Sequence, residues 1–324
     1  MKTINKWLCM AALLLSAPSC QKLEDVAAPE FGFEIENETI RVGEPVRFVF
    51  TGTPDIISFY SGEFGCDYDY RNGRVVKPEY GVSFEFQLRD GTQENQTSIL
   101  LSTKMPDDMS SLTTDIIESD AFDWKDITDK FSILRVADPD RRDYEYAGLG
   151  NISEYIDQSK STTKMVFAVR YTTLNQSIYG GGGIVRYRYF TLKTIVNGEE
   201  SVYLEHPQFG WQLVSTPNKQ EGRSAIYADA TPPYVQLRNG WGGEHTTNDT
   251  RDYGISQAIE ISNGEMDLGP DKSIPIRGVN DVVMKSYEYT YDKPGTYNIA
   301  FVAKNINING EKSVVLHKTI TVEE

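Results

Sequence analysis

The sequence is poor in cysteine and has no long apolar run after its first 20 residues. Its 324 residues include three cysteines. Cys9 and Cys20 both fall in the N-terminal stretch, so Cys66 is the only thiol in the body of the chain and no intrachain disulfide is expected. A transmembrane helix needs about 20 mostly apolar residues, and no later segment approaches that length. Stability must therefore come from hydrophobic cores, and the chain length predicts about two domains.

Histidine is equally scarce, and the common catalytic motifs are missing. His206, His245 and His317 stand apart in the sequence, with no His-Glu-Xaa-Xaa-His segment and no metal-ligand spacing. No Gly-Xaa-Ser-Xaa-Gly motif occurs, and Cys66 has no histidine near it in sequence. We therefore predict that the protein is not an enzyme. A glycoside hydrolase stays open as an alternative, because it needs only two carboxylates about 5 to 9 Å apart.

Basic residues are outnumbered. The chain has 47 acidic and 32 basic residues, which gives a formal net charge of −15. Such a chain repels nucleic acid and anionic membrane surfaces, so neither is expected to be a partner. Neutral ligands, basic partners and divalent cations remain compatible with this charge.

The first 20 residues have the pattern of a secretory signal peptide. Lys2 and Lys6 give the first residues a positive charge, and an apolar run follows over residues 7–15. Small residues then lead to Cys20, which completes the pattern of a secretory signal. Cys20 resembles the acylated cysteine of a bacterial lipoprotein. The resemblance implies a signal peptide over residues 1–19, lipidation of Cys20 and membrane attachment only through the acyl chains. The alternative is an ordinary signal peptide with a chance cysteine.

A polar segment follows the leader. Residues 20–30 are acidic and show no apolar periodicity, which predicts a lipid-anchored linker. Glu24 and Asp25 resemble the acidic export signal that sends lipoproteins of the Bacteroidota to the cell surface. The resemblance implies the outer membrane, with the protein facing the cell exterior. The alternative is a solvated linker with two chance acids.

The body of the chain predicts an all-β fold. Apolar residues alternate with polar ones, as in half-buried strands, over residues 31–35, 46–50, 163–173, 184–196 and 313–324. No long segment has a helical period, and short helical turns are predicted near residues 110–120 and 151–159. The glycine run at 180–183 leads into an alternating strand, so it predicts a turn between strands and not a phosphate-binding loop.

Residues 31–52 resemble the first two strands of a PKD-type immunoglobulin-like β-sandwich, with Val-Gly-Glu-Pro-Val at the turn between them. In that family a hairpin containing Pro-Gly-Thr-Tyr soon follows, whereas here it appears only within residues 287–305. The resemblance implies a discontinuous PKD-like sandwich of residues 31–80 plus 282–324. The alternative is two incomplete sandwiches, which would leave unpaired strand edges.

The segment between these parts, residues 81–281, has its own resemblance. A Trp-Xaa-Asp-Ile segment starts at Trp124, Ile-Ser-Xaa-Tyr ends at Tyr155, and an apolar strand closes in Arg-Tyr at Tyr171. These features resemble galactose-binding-like jelly-roll modules. The fold implied for the whole chain is therefore a discontinuous β-sandwich with an inserted jelly roll.

The whole arrangement resembles an uncharacterised family of surface lipoproteins that belong to starch-utilisation-type glycan uptake loci. The resemblance implies a non-catalytic glycan-binding component beside a SusC/SusD-like importer. The alternative is an adhesive or structural surface protein that binds another protein.

A sugar site needs an aromatic face and a few polar side chains in a shallow concave surface. Trp241 lies in a glycine-flanked loop, so it is the leading candidate, although it could instead plug the end of the jelly roll. Trp124 lies among apolar residues and is assigned to the core. The other candidate ligand-binding residues are Asn248, Arg251, Tyr253, Trp211 and Tyr179. Trp211 is ambiguous, because a half-buried strand would explain it as well as a binding face.

No cofactor is predicted, apart from a weak candidate site for calcium. Asp138, Asp140 and Asp143 could offer oxygen ligands. The segment lacks the glycine and the terminal glutamate of an EF-hand loop, so an exposed acidic turn is the favoured interpretation.

Overall fold

A computed structural model describes the chain over residues 25–37, 40–137, 142–216, 223–238 and 247–324. The chain divides into two compact units. Of the described residues, unit 1 comprises those up to Arg74 together with Leu268–Glu324, and unit 2 comprises those from Val75 to Asp267. The sequence analysis places the junctions after residues 80 and 281. In the structure, Ile274–Arg277 pairs with Ile56–Tyr60, so the segment that follows residue 267 lies in unit 1.

Strands dominate both units, and the fold class is confirmed as all-β. Unit 1 begins with β1 (Phe31–Ile35), β2 (Ile40–Arg41), β3 (Pro45–Gly52) and β4 (Ile56–Tyr60). Unit 2 contains β5 (Val75–Val76), β6 (Glu79–Arg89), β7 (Thr97–Ser102), α1 (Thr114–Ile117), β8 (Lys125–Asp126), β9 (Glu145–Asn151), β10 (Thr162–Thr173), α2 (Gln176–Tyr179), β11 (Ile184–Val196), β12 (Glu199–Leu204), β13 (Gln212–Ser215), β14 (Ala225–Tyr227), β15 (Tyr234–Arg238), β16 (Thr250–Ile255), β17 (Ile259–Ser262) and β18 (Met266–Asp267). Unit 1 resumes with β19 (Ile274–Arg277), β20 (Ser286–Thr290), β21 (Gly295–Asn307) and β22 (Gly310–Glu323).

The remaining helical structure is short. Single 3-10 turns lie at Tyr68–Tyr70, Thr128–Lys130, Ser153–Tyr155 and His206–Phe209. Among the described residues, no helix has the length and apolar character needed to cross a membrane.

Unit 1 packs a three-stranded sheet, β1-β3-β20, against a five-stranded sheet, β19-β4-β21-β22-β2. The two chain segments share both sheets, because β20 pairs with β3 and β21 pairs with β4. Phe301 of β21 lies at the centre of the core. The centroid of its ring is 5.2 Å from that of Phe48 and 4.7 Å from that of Phe59. The closing hairpin therefore supplies the core residue on which the first strands pack.

Unit 2 packs two six-stranded sheets against each other. Sheet A has the order β13-β16-β10-β7-β8, with β17 beside β10, and sheet B has the order β14-β15-β11-β6-β9, with β12 beside β11. Phe167 of sheet A and Phe84 and Phe190 of sheet B meet in the core, with ring centroids 5.1 to 6.0 Å apart in the contacting pairs. Because side chains alternate along a strand, Val166 and Ala168 point to the outer face of sheet A, where they join a second apolar cluster.

A buried ion pair connects the two segments of unit 1 beside the junction. Nε and Nη2 of Arg74 donate to Oδ1 and Oδ2 of Asp271 at 2.9 and 2.7 Å, and the two side chains are 10% and 3% exposed. The guanidinium stacks on the ring of Tyr70, with Cζ 3.6 Å from its centroid. The backbone N–H of Asp67 also donates to Asp271, at 2.9 Å. The Arg74 guanidinium holds the pKa of Asp271 below its usual range.

We expect Asp271→Asn to lower the free energy of unfolding at pH 7 by about 3 kcal/mol, because the buried Arg74 would lose its bidentate partner and keep only the carboxylate of Asp67, 4.0 Å from Nη2. The pKa of Asp271 is depressed in the folded state, so the stabilisation is complete above the ordinary aspartate pKa of about 3.9. It is lost as the pH falls below that value and through the folded pKa. Urea unfolding at pH 7 and pH 3 measures both effects.

The matched control is Glu311→Gln, which removes the exposed ion pair with Lys304. Exposed pairs contribute about 0 to 1 kcal/mol, so this variant should stay close to the parent. An Asp271→Asn variant with a pH-independent deficit, or with none, would contradict the assigned role of the pair.

Candidate functional site

The outer face of sheet A is only partly covered, and the uncovered part forms the candidate site. The segment before β8 lays Ile117 and Phe122 against Leu100, Val166 and Ile255 of the sheet. Further along β10 and β16 the same face becomes polar. The resulting open depression, here called the Trp124 depression, has a volume of about 450 Å³ and is lined by Leu100, Ile117, Glu118, Trp124, Arg170, Thr172, Arg251 and Tyr253.

Trp124 forms an aromatic wall of this depression. Its ring stacks on Phe122, with centroids 4.7 Å apart and planes 12° from parallel. The indole N–H donates to the carbonyl oxygen of Ile117 at 2.8 Å, which fixes the orientation of the ring. The polar edge of the indole is thus bonded within the protein, and the apolar ring surface is the part that can contact a ligand.

α1 places Glu118 over the sheet. The hydroxyl of Thr113 caps the helix by accepting from the backbone N–H of Ile116 at 3.3 Å. Ile117 at the end of the helix is fully buried, and Glu118 follows it at the rim of the depression. A single helical turn therefore provides both an apolar anchor and a carboxylate.

Two residues of β16 hold this carboxylate. Nη1 of Arg251 donates to Oε2 of Glu118 at 2.7 Å, and the hydroxyl of Tyr253 donates to Oε1 at 2.9 Å. Burial and the bond to Glu118 raise the pKa of the Tyr253 hydroxyl well above its usual range, so this group remains a hydrogen-bond donor at neutral pH. Glu118 raises the pKa of Arg251 in turn. On the side of the depression formed by β16, the charge of Arg251 is balanced by that of Glu118.

Arg170 lies on the β10 side of the depression, and a nearby carboxylate offsets its charge. It lies opposite Tyr253 in the strand register, and Nη2 donates to the hydroxyl of Ser98 at 2.9 Å. The same nitrogen lies 3.7 Å from Oδ2 of Asp126. The guanidinium groups of Arg170 and Arg251 thus lie at the depression beside Trp124, each with a carboxylate near it. Such a site offers hydrogen bonds and an apolar face without a net charge.

The structure brings together two of the predicted ligand-binding residues, Arg251 and Tyr253. Their partners in the depression, Trp124, Glu118 and Arg170, were missed by the sequence analysis, and Trp124 was assigned wholly to the core. A signal for this site does exist in β10. Its outward positions change from apolar Val166 and Ala168 to polar Arg170 and Thr172, which marks where the apolar cover ends.

Two other predicted residues lie on loops that are bonded to each other. Tyr179 ends α2 and is 56% exposed. Asn175, the N-cap of that helix, donates from its backbone N–H to Oδ1 of Asp249 at 2.8 Å. Asn248 is the neighbour of Asp249, so it belongs to the same pair of loops. Trp241 and Cys20 lie outside the described residues, and their roles stay predictions.

Trp211 packs mainly on the core of unit 2. Its ring stacks on Phe209, with centroids 5.4 Å apart and planes 8° from parallel, and it meets Phe190 edge-on at 5.1 Å. His206 lies beside it, with ring centroids 5.8 Å apart. These contacts give Trp211 a structural role whether or not it also contacts a ligand.

The described histidines have structural surroundings. Nδ1 of His206 accepts from the backbone N–H of Phe190 at 3.2 Å, and burial lowers its pKa to about 4, so the ring is neutral at pH 7. His317 meets the ring of Tyr68 edge-on, with centroids 5.0 Å apart. Within the described residues, no group of three His, Cys, Asp or Glu side chains could hold a metal ion. Asp138 and Asp140 lie outside that part of the chain, and Asp143 is exposed.

Arg186 and Arg188 form a second polar and aromatic surface on the outer face of sheet B. Nε of Arg188 donates to Oε2 of Glu85 at 2.7 Å, and its guanidinium lies over Tyr144, with Cζ 3.7 Å from the ring centroid. Nε of Arg186 donates to Gln236 at 2.8 Å. Each of these two arginines therefore has a hydrogen-bond partner within the sheet surface.

Residues 19–211 match the family described as a domain of unknown function, DUF5017. The chain belongs to this family. The DUF5017 match includes Glu118, Trp124 and Arg170 and ends before β16, which supplies Arg251 and Tyr253. No curated protein and no solved structure matches the chain.

In this DUF5017 protein, Trp211→Ala should lower the free energy of unfolding by about 3 kcal/mol, because it removes a ring that packs on Phe209 and Phe190. Tyr179→Ala should change it by less than about 0.5 kcal/mol, since that side chain is mostly exposed. Urea unfolding followed by circular dichroism compares the two. Equal stability of both variants would show that Trp211 is not part of the core.

Proposed function

We propose that this protein is a non-catalytic glycan-binding lipoprotein of the cell surface, and that it binds a neutral polysaccharide in the Trp124 depression. The combination of an aromatic wall with charge-balanced polar groups carries this proposal. Sugar rings present C–H groups to an aromatic face and hydroxyl groups to polar side chains. Trp124 supplies the face, and Arg170, Thr172 and Glu118 supply the polar groups.

The charge balance favours a neutral ligand over an acidic one. Arg251 is bonded to Glu118, and Arg170 lies near Asp126 and bonds Ser98. An anionic ligand would compete with these carboxylates for the same guanidinium groups. A neutral hydroxylated ligand can accept from the remaining N–H groups without breaking either pair.

The cellular setting follows from the leader and the resemblances. Lipidation of Cys20 would anchor the chain in the outer membrane, where it would capture glycan beside a SusC/SusD-like importer. Within this proposal, unit 1 is the PKD-like sandwich and unit 2 is the galactose-binding-like jelly roll. The acidic composition of the chain fits a partner that is neither nucleic acid nor an anionic surface.

The lining of the depression favours binding over hydrolysis. Glycoside hydrolysis uses a pair of carboxyl groups that face the ligand. Asp126, the second carboxylate near the depression, lies outside its lining and accepts from the backbone N–H and the hydroxyl of Thr128. Glu118 does line the depression. Both of its oxygens accept hydrogen bonds, from Arg251 and Tyr253. The carboxylate thus acts as an anchor for the site. An adhesive role toward another protein is the alternative outcome if no glycan binds.

Affinity electrophoresis against a panel of neutral polysaccharides tests the proposal with residues 21–324, Trp124→Ala and Arg170→Ala. A polysaccharide should retard the parent, and Trp124→Ala should weaken its binding at least tenfold, which corresponds to about 1.4 kcal/mol. Arg170→Ala should also weaken binding, since it removes hydrogen-bond donors to the ligand. Arg170 is the cleaner variant, because Trp124 also packs on Phe122.

The matched control is Tyr146→Ala, which removes a ring that is 57% exposed on sheet B, away from the depression. Trp241→Ala and Trp211→Ala belong in the same panel because the sequence nominates both residues. Retardation that survives Trp124→Ala and Arg170→Ala but is lost with Trp241→Ala would move the site to the predicted loop. No retardation by any glycan would refute the proposed binding activity.

The affinity for the bound glycan should be nearly independent of salt. Exposed charges are screened over about 10 Å at 0.1 M ionic strength and over about 3 Å at 1 M. A neutral ligand in a charge-balanced site has no net electrostatic attraction that added salt could screen. Titration calorimetry at low and high sodium chloride measures this, and a large drop in affinity with salt would indicate an acidic glycan instead.

A further inference from the structure

One end of unit 1 presents aliphatic side chains to solvent. Val282 and Ile308 are 86% and 96% exposed. Val279 and Val283 flank the first of these on the loop before β20, and Ile306 precedes the second on the β21–β22 hairpin; they are 52%, 52% and 42% exposed. Single exposed aliphatic residues are ordinary on protein surfaces. Five on two neighbouring loops form an apolar end, the name used here for these residues.

Hydrogen bonds hold the two loops together. Arg277 donates to the carbonyl oxygens of Pro54 and, at 3.2 Å, of Val282. Asp55, the next residue after Pro54, accepts from the backbone N–H of Ile306 at 2.9 Å. Pro54 and Asp55 thus connect the loop before β20 to the β21–β22 hairpin. The apolar residues are therefore presented together at one end of β21.

The N-terminal segment leaves unit 1 at the same end. Val26 is buried, and the carbonyl oxygen of Ala27 accepts from Nδ2 of Asn305 at 3.2 Å. Oδ2 of Asp25 lies 2.6 Å from Nζ of Lys312 on the second strand of the hairpin. These contacts fix the start of the described chain beside the hairpin that carries Ile308.

The short linker limits how far this end can lie from the predicted anchor. Four residues lie between Cys20 and Asp25, so five residue-to-residue steps join them, and an extended chain spans at most about 3.6 Å per step. The start of unit 1 would therefore lie within about 18 Å of an acylated Cys20. A tether of this length keeps the apolar end at a high effective concentration next to the lipid surface.

We propose that the apolar end of unit 1 inserts into the lipid surface and forms a second membrane attachment beside the acyl chains. This inference rests on the lipid anchor in the proposed function and adds a contact made by the folded chain itself. The position of the tether favours lipid over a protein partner, because the anchor brings lipid, and no particular protein, to this end. Among the acids nearby, Asp25 pairs with Lys312, Glu311 pairs with Lys304, and the exposed Asp281, between Val279 and Val282, accepts from the backbone N–H of Gly278 at 2.7 Å.

Hydroxyl-radical footprinting on vesicles tests the inference without relying on native acylation. Residues 20–324 contain every residue of the described chain, and with Cys66→Ser the only thiol is Cys20. Coupling Cys20 to a maleimide lipid in phosphatidylcholine vesicles reproduces the tether, and the reference is the same protein with Cys20 capped and no vesicles. Mass spectrometry then reports the oxidation of individual aliphatic side chains.

We expect oxidation of Val282 and Ile308 to fall several-fold on the vesicles. Val202, which is 59% exposed on β12 of unit 2, should be oxidised equally in both states. The double variant Val282→Asp/Ile308→Asp should restore oxidation of Val279 and Val283 on vesicles, whereas the matched control Val202→Asp should not. Equal oxidation of Val282 and Ile308 with and without vesicles would overturn the inference.

A separate measurement keeps the two proposals distinguishable. The mass of the N-terminal peptide from cells shows whether Cys20 carries acyl chains. If it carries them and the footprint does not change, the anchor stands and the insertion of the apolar end is refuted. If it carries none, the anchor in the proposed function fails, and with it the setting in which the apolar end would meet lipid.

Discussion

The buried pair of Arg74 and Asp271 is the constraint on which the assembly of unit 1 from two chain segments depends. Unit 1 is built from two segments, and this pair joins them where the first segment ends and shortly after the second begins. The bidentate geometry and the stacking on Tyr70 make the pair specific for one register of the segments. Because both charges are nearly excluded from water, either one alone would be costly. The Phe301 core and the tether contacts at Asp25 both belong to the unit that this pair closes.

The candidate site forms where the segment that packs on the outer face of sheet A ends and leaves the rest of that face open. Outward residues of sheet A would form an exposed apolar stripe if nothing packed on them, and the segment with Ile117 and Phe122 covers that stripe. Where the cover ends, the strands carry Arg170, Arg251 and Tyr253, and α1 holds Glu118 above them. Trp124 belongs to both environments, which explains how a residue of the apolar cluster also forms a wall for a ligand. In the proposed function, packing and ligand recognition would use the same ring.

Alternation along the chain predicted the long strands well, and it failed where contacts between distant strands decide the structure. β10, β11 and β22 follow the alternating patterns. The glycine run leads into β11 as predicted, but it follows α2 and so does not connect two strands directly. It packs so closely that a side chain at Gly91 would meet the backbone of Gly183. The site could not be predicted in this way. Arg170 faces Tyr253 only because of the register between β10 and β16, strands more than 70 residues apart, and periodicity carries no information on register. Trp211 was ambiguous for the same reason, since its partners come from other elements.

In the proposed function, a neutral glycan contacts the ring of Trp124. The most direct measurement is a nuclear magnetic resonance titration of residues 21–324 labelled with ¹⁵N-tryptophan, following the indole N–H signals as a neutral oligosaccharide is added. Trp124→Phe identifies the signal of Trp124, whose indole N–H is held by Ile117. We predict that this signal shifts with saturation, whereas the signal of Trp211, which packs on Phe209, does not shift. A saturating shift of the Trp241 or Trp211 signal with an unchanged Trp124 signal would contradict it.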